Sequence, residues 1–138
     1  MDKKITGLKL FLLLFWQVSF AQQTILTDSN LPIMVISTDI DPATNSPIDI
    51  PDEPIVLATM QLIYRPDGAR NYLTDITNDS FLNYNGRIGI ELRGSSSQVL
   101  DKKPYGFTTL LEDNDSNNNV SLLEMPSEND WVLNSLAY

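Results

Sequence analysis

The 138-residue sequence contains no cysteine and no histidine. A disulfide therefore cannot stabilise the fold, and stability has to come from an apolar core. Catalysis by a cysteine–histidine pair or by a histidine-dependent serine triad is excluded, and so are zinc sites built on these residues. Any bound metal would have oxygen ligands, which favours Ca²⁺, Mg²⁺ or Mn²⁺. Chemistry has to rely on carboxylates, lysine, arginine, tyrosine or hydroxyl groups, or on a part outside this chain.

An apolar run of 11 residues, Leu10–Phe20, follows an N-terminal region that carries three lysines. The small residues Ser19 and Ala21 occupy the −3 and −1 positions of a cleavage site before Gln22. This order is typical of a secretory signal peptide. The run is also too short for a bilayer, which needs roughly 20 residues. We therefore expect residues 1–21 to be cleaved and the mature chain to be secreted, periplasmic or on the cell surface, with no membrane span.

Basic residues are scarce after the predicted cleavage site. Residues 22–138 carry six basic and 17 acidic side chains, which give a formal charge of −11. Such a surface repels phosphate backbones, so nucleic acid is not an expected partner. Anionic membrane surfaces are disfavoured for the same reason. We interpret the acidity mainly as a feature that keeps the protein soluble.

The mature chain lacks the 3.6-residue periodicity of amphipathic helices and instead has short apolar and β-branched runs. These runs predict a mainly β fold, with one small and mostly antiparallel sheet of about four or five strands. A polar segment at residues 22–30 predicts a flexible leader before the β-rich region at residues 31–138. The predicted strands are residues 31–38, 54–64, 87–93 and 105–111, and a further apolar element begins at Trp131.

The clearest strand is Arg87–Arg93, in which apolar residues alternate with polar residues or glycine. This alternation is the pattern of a strand with one buried face. Turn signals precede it at Pro66–Gly68 and at Asn85-Gly86. Residues 39–53 contain three prolines and several acids, and they predict a long loop.

A small-residue loop flanked by basic residues joins two of the predicted strands. Glycine and serine let backbone N–H groups approach phosphate oxygens closely, and a nearby lysine adds positive charge. The segment lacks the spacing of a Walker A loop or a GxGxxG motif, so an ordinary solvated hairpin loop is the alternative. The candidate phosphate-binding residues are Arg93, Gly94, Ser95, Ser96, Ser97, Lys102 and Lys103.

Two acidic segments are candidates for metal binding. Residues 113–124 place Asp113, Asp115, Asn117 and Glu124 at positions 1, 3, 5 and 12 of a pattern close to a calcium-binding EF-hand loop. The flanking residues do not predict the two helices that an EF-hand requires, so a solvated loop is the alternative. The five acids of residues 39–53 form the second segment, and nothing in their spacing fixes a ligand geometry. We assign no metal ligand and no catalytic residue from the sequence.

Several segments together resemble one family. They are LPIMVIST, IPDEP, ATMQLIY, IELRGSSSQ, KKPYGFTTL and MPSENDWVLNSLAY, which cover most of residues 31–138. The chain resembles the N-terminal part of the CotH-type proteins. This family is named for a spore coat protein and is similar to atypical, secreted protein kinases. The most specific of these segments are RGSSS with KKPYGF, and MPSENDWVL.

The resemblance implies that the β-rich region is the smaller, nucleotide-covering lobe of an atypical kinase. It implies transfer of a phosphoryl group from ATP, with Mg²⁺ or Mn²⁺, to serine or threonine of an exported protein. The loop Gly94–Ser97 would lie near the phosphates, with Arg93, Lys102 or Lys103 supplying positive charge. Lys103 is the preferred residue, although the sequence does not separate it from Lys102. No residue matches the family's catalytic acids, so we expect a C-terminally truncated and inactive fragment.

Two alternatives remain open at this point. One is a non-enzymatic extracellular β-sandwich-like module for adhesion or binding. The other is a structural domain that calcium stabilises. Binding of a nucleotide, of a carbohydrate or cell surface, or of calcium would distinguish the three interpretations.

Overall fold

A computed structural model describes residues 25–94 and 102–134, and these residues form a mainly β structure. The predicted signal peptide at residues 1–21 lies outside the described residues. Two short 3₁₀ helices, η1 (Leu73–Thr77) and η2 (Asp79–Phe81), are the helical elements of the described part. The strands are β1 (Asp28–Ser29), β2 (Ile33–Thr38), β3 (Ile40–Asp41), β4 (Ser46–Pro47), β5 (Val56–Ile63), β6 (Asn71–Tyr72), β7 (Leu82–Leu92), β8 (Tyr105–Leu110) and β9 (Asp130–Leu133).

Five of the strands form one antiparallel sheet in the order β2-β5-β7-β8-β9. Each strand lies beside the strand that precedes it in this series, so the main sheet is a meander. The predictions of a mainly β fold and of a small antiparallel main sheet are confirmed, but two separate two-stranded sheets accompany the main sheet. Within the described ranges, neither 3₁₀ helix is long and apolar enough to cross a bilayer.

The apolar core lies on one face of this sheet. Val56, Ala58, Met60 and Leu62 alternate along β5 and are buried, with exposed fractions between 0% and 9%. Antiparallel pairing places Ile88 beside Ala58 and Ile90 beside Val56, and both isoleucines are fully buried. Leu122, from the segment after β8, also packs into this core. Burial of each large apolar side chain contributes about 1.5–3 kcal/mol, so this face supplies the stability that disulfides do not.

Two short ladders lie within segments that the sequence predicted to be irregular. β3 pairs with β4 inside the predicted loop of residues 39–53. Asp41 closes the turn between them, because its carboxylate accepts hydrogen bonds from the Ala43 N–H and the Thr44 hydroxyl. β1 falls within the predicted flexible leader and pairs with β6.

The predicted turn at Asn85-Gly86 is wrong, because both residues lie inside β7. Gly86 pairs with Met60, and the ring of Tyr84 folds over the glycine on the same face. A Cβ atom on Gly86 would lie 2.9 Å from the Tyr84 hydroxyl oxygen. That hydroxyl donates to the Arg87 carbonyl oxygen at 2.8 Å, and burial raises the pKa of Tyr84 to about 12. The glycine is therefore a site of close side-chain approach rather than a turn residue.

We expect Gly86→Ala to destabilise the protein by about 1–3 kcal/mol, because the new methyl group displaces a buried and hydrogen-bonded tyrosine. Gly106→Ala in β8 is the control, because its Cβ would have no neighbouring side-chain or backbone atom nearer than 3.9 Å. Urea unfolding of both variants measures the difference, and equal free energies of unfolding would contradict this account of Gly86.

Arg87 joins three elements on the opposite, more polar face of the sheet. Its guanidinium donates to both carboxylate oxygens of Asp39, at 2.7 and 2.9 Å, and to the Thr59 hydroxyl at 3.1 Å. It also donates to the Asn114 side chain. The hydrogen bonds from Arg87 hold the pKa of Asp39 below its usual range. Arg87 thereby ties the end of β2 to β5, β7 and the loop after β8.

We expect a double-mutant cycle of Arg87→Met and Asp39→Asn to give a coupling of about 1 kcal/mol near neutral pH, since Asp39 is partly exposed. The pKa of Asp39 is lower in the folded state, so this stabilisation is complete above the unfolded pKa near 4. It is lost as the pH falls through the lower folded pKa. Urea unfolding at pH 7 and at pH 3 measures the cycle, and a coupling that grows at the lower pH would contradict the ion pair.

Candidate functional site

The hairpin between β7 and β8 brings most of the predicted phosphate-binding residues to one end of the sheet. The Arg93 N–H donates to the Pro104 carbonyl oxygen at 3.0 Å, so the ladder continues one residue pair beyond the two strands. Gly94 follows with a φ of 78°, which glycine adopts without strain. Ser95, Ser96 and Ser97 lie outside the described residues.

A groove of about 720 Å³ opens beside the base of this hairpin. Its apolar wall comes from β2, β7 and β8 of the main sheet and from β3, β4 and the segment after β4. Lys103 and Asp49 are its charged residues, and Ser37 and Thr38 add hydroxyl groups. The complete lining is Ile36, Ser37, Thr38, Ile40, Pro47, Ile48, Asp49, Ile50, Leu92, Lys103 and Tyr105.

Strand alternation separates the predicted cations. Lys103 is two residues before Tyr105 and lies on the same side of the hairpin, and both line the groove. Arg93 follows Leu92 and belongs to the opposite face, where it lines a second cleft of about 340 Å³. Lys102 is exposed and lines neither space. Arg93 and Lys103 are therefore close in the hairpin but do not converge on one side of the sheet.

The second cleft has a different character. Gly89 and Gly106 line it, and Glu91, Arg93 and Asp130 provide charged groups. The Thr108 hydroxyl donates to the Asp130 carboxylate at 2.8 Å. Two carboxylates beside one guanidinium make this cleft a poorer place for a phosphate than the groove that contains Lys103.

Residues 113–124 do not form an EF-hand. The segment follows β8 rather than a helix, and Asp113 accepts hydrogen bonds from the N–H groups of Asp115 and Ser116. Hydrogen bonds from Ser116, and then from Asp115, lower the pKa of Asp113. Glu124 has a φ of 64° in a turn that the Met125 N–H closes onto Leu122. A helix that would carry a bidentate ligand at position 12 is thus replaced by a tight turn.

The acids of residues 39–53 are also dispersed. Asp39 pairs with Arg87, and Asp41 closes the β3–β4 turn. Among residues 25–94 and 102–134, no group of three acidic side chains could hold a metal ion. Asp49 is one of the five acids of this segment, and nothing in the local sequence distinguishes it from the other four. Its place in the groove follows from pairing between distant segments, for which local sequence carries no signal.

No family model, curated protein or solved structure matches the chain. The resemblance to CotH-type proteins therefore rests on the segments quoted above. The groove is the structural feature that identifies a candidate site.

The turn at Leu123 and Glu124 provides a test of the loop assignment. Both residues have positive φ, a conformation that costs about 1 kcal/mol for residues other than glycine, asparagine or aspartate. We expect Glu124→Gly to stabilise the protein by about 0.5–1 kcal/mol, whereas Glu128→Gly, at an ordinary φ, destabilises it. Urea unfolding with and without calcium measures both effects. A calcium-dependent rise in stability that Glu124→Gly abolishes would contradict this assignment.

Proposed function

We propose that this chain is the nucleotide-covering β lobe of an exported CotH-type atypical kinase. In this proposal the longer parent protein transfers a phosphoryl group from ATP to serine or threonine of another exported protein. The observation that carries the proposal is the groove beside the β7–β8 hairpin, which Lys103 lines together with mostly apolar residues. The RGSSS and KKPYGF segments that support the family resemblance flank this same hairpin loop.

The composition of the groove suits a nucleotide. Leu92, Tyr105 and Ile36 offer apolar surface for a base and a sugar, and pockets for such ligands are mostly apolar with a few placed polar groups. Lys103 supplies a point charge for phosphate oxygens. Gly94 begins the loop at a positive φ, which allows backbone N–H groups to turn toward an anion.

The negative charge of the chain gives the divalent metal a role in binding the triphosphate. The mature chain has a formal charge of −11, so an uncomplexed triphosphate would be repelled. Mg²⁺ or Mn²⁺ would bridge phosphate oxygens and neutralise part of their charge, as in phosphoryl transfer generally. We assign no protein ligand to this metal within the described part of the chain.

A non-enzymatic β-sandwich-like module is less well supported. The described residues form one five-stranded sheet with two short ladders, and no second large sheet faces it. Loop segments with Ile48, Ile50 and Leu122 cover the apolar face instead.

We expect residues 22–138 to bind Mg²⁺–ATP and Lys103→Ala to weaken this binding about ten-fold or more, since a hydrogen bond to a charged group contributes about 1.5–3 kcal/mol. Lys102→Ala is the matched control, because it removes the same charge one residue outside the groove. Isothermal titration calorimetry measures both affinities. Equal losses in the two variants would show general charge attraction rather than a site, and absence of binding by the unaltered protein would overturn the proposal.

A further inference from the structure

Asp49 lines the same groove as Lys103. It lies between Ile48 and Ile50, whose side chains pack against the core. Asp49 itself is exposed. Among the described residues, neither Asp49 nor Lys103 takes part in an ion pair. Both charged groups are therefore available to a molecule that occupies the groove.

Two backbone hydrogen bonds fix the relative positions of the segments that carry these charges. The Leu92 N–H donates to the Pro51 carbonyl oxygen at 2.7 Å, and the Arg93 N–H donates to that of Pro104 at 3.0 Å. Successive N–H groups of a strand point to opposite edges. The segment that ends at Pro51 and the segment that contains Lys103 thus lie on opposite sides of the β7 end. Their backbones are two strand spacings apart, or roughly 10 Å.

The two charges are suited to different parts of one ligand. A carboxylate repels phosphate oxygens, but it accepts charge-assisted hydrogen bonds from hydroxyl groups. The ammonium group of Lys103, on a segment whose backbone is about two strand spacings away, attracts the phosphates. Leu92 belongs to the strand between the two segments, lines the groove and provides apolar surface for the ring atoms of the sugar.

We propose that Asp49 is the ribose-selecting residue of this groove, accepting hydrogen bonds from the 2′ and 3′ hydroxyl groups of a ribonucleotide while Lys103 contacts its phosphates. This inference rests on the proposed nucleotide-binding function. It names a ribonucleoside triphosphate, rather than any polyphosphate or a deoxyribonucleotide, as the preferred ligand.

The test compares ATP, 2′-deoxy-ATP, 3′-deoxy-ATP and inorganic triphosphate, each with Mg²⁺, by titration calorimetry on residues 22–138. The unaltered protein should bind ATP about ten-fold more tightly than either deoxy analogue, because each analogue loses a charge-assisted hydrogen bond to the carboxylate. Asp49→Ala should remove this preference and leave inorganic triphosphate bound equally well or better. Asp115→Asn, an exposed acid outside the groove, removes one negative charge as the control and should retain the preference.

The outcomes separate this inference from the proposed function. If ATP and both deoxy analogues bind with equal affinity through Lys103, or if Asp49→Ala keeps the preference, the ribose role is overturned and the nucleotide site stands. If neither ATP nor inorganic triphosphate binds, both proposals are overturned. If Asp115→Asn loses the preference as fully as Asp49→Ala does, the selection arises from net charge and the assignment to Asp49 is wrong.

Discussion

The pairing of β7 along both of its edges is the constraint on which the rest of the structure depends. β7 pairs with β5 over eight residue pairs and with β8 over six, so it is the central strand of the sheet. This register places Ile88 and Ile90 in the core and Arg87 on the opposite face. A shift by one residue would exchange these faces, exposing the isoleucines and burying the arginine. At the C-terminal end of β7, the N–H groups of Leu92 and Arg93 donate to the carbonyl oxygens of Pro51 and Pro104, and these two hydrogen bonds position the segments beside the groove.

Division of the sheet into two faces also organises the charges. The face of Leu92 and Tyr105 carries the groove with Lys103, and the face of Glu91 carries the second cleft with Arg93. Arg93 and Lys103, which flank the same hairpin loop in sequence, therefore lie in separate environments on opposite faces of the sheet. The apolar face combines one lysine, one carboxylate and apolar surface, which is why the nucleotide proposal is centred there and not on the opposite cleft.

Local sequence predicted the strands well where alternation is strong. The predicted strands Arg87–Arg93 and Tyr105–Leu111 overlap β7 and β8, because alternating apolar residues have few ways to bury one face. Asn85-Gly86 does not form the predicted turn, since long pairing with β5 and the packing of Tyr84 over the glycine outweigh the local turn signal. Long-range strand pairing, rather than local turn propensity, determines the extended conformation of Asn85 and Gly86.

The site was predictable only in part. The loop between the two strongest strands pointed to Arg93, Lys102 and Lys103 as a group. Separating them required the register of the hairpin, and finding Asp49 required the contact between Pro51 and Leu92, which are 41 residues apart in sequence. Such contacts depend on the assembled sheet, so periodicity and spacing carry no signal for them.

The central claim is that the groove beside the β7–β8 hairpin binds a nucleotide. Its most direct test is a titration of isotopically labelled residues 22–138 with Mg²⁺–ATP, followed residue by residue in amide NMR spectra. The account predicts that the largest shifts occur at Asp49, Leu92, Lys103 and Tyr105, while Thr108 and Asp130 on the opposite face change little. Shifts confined to the opposite face, or no saturable shifts at all, would contradict it.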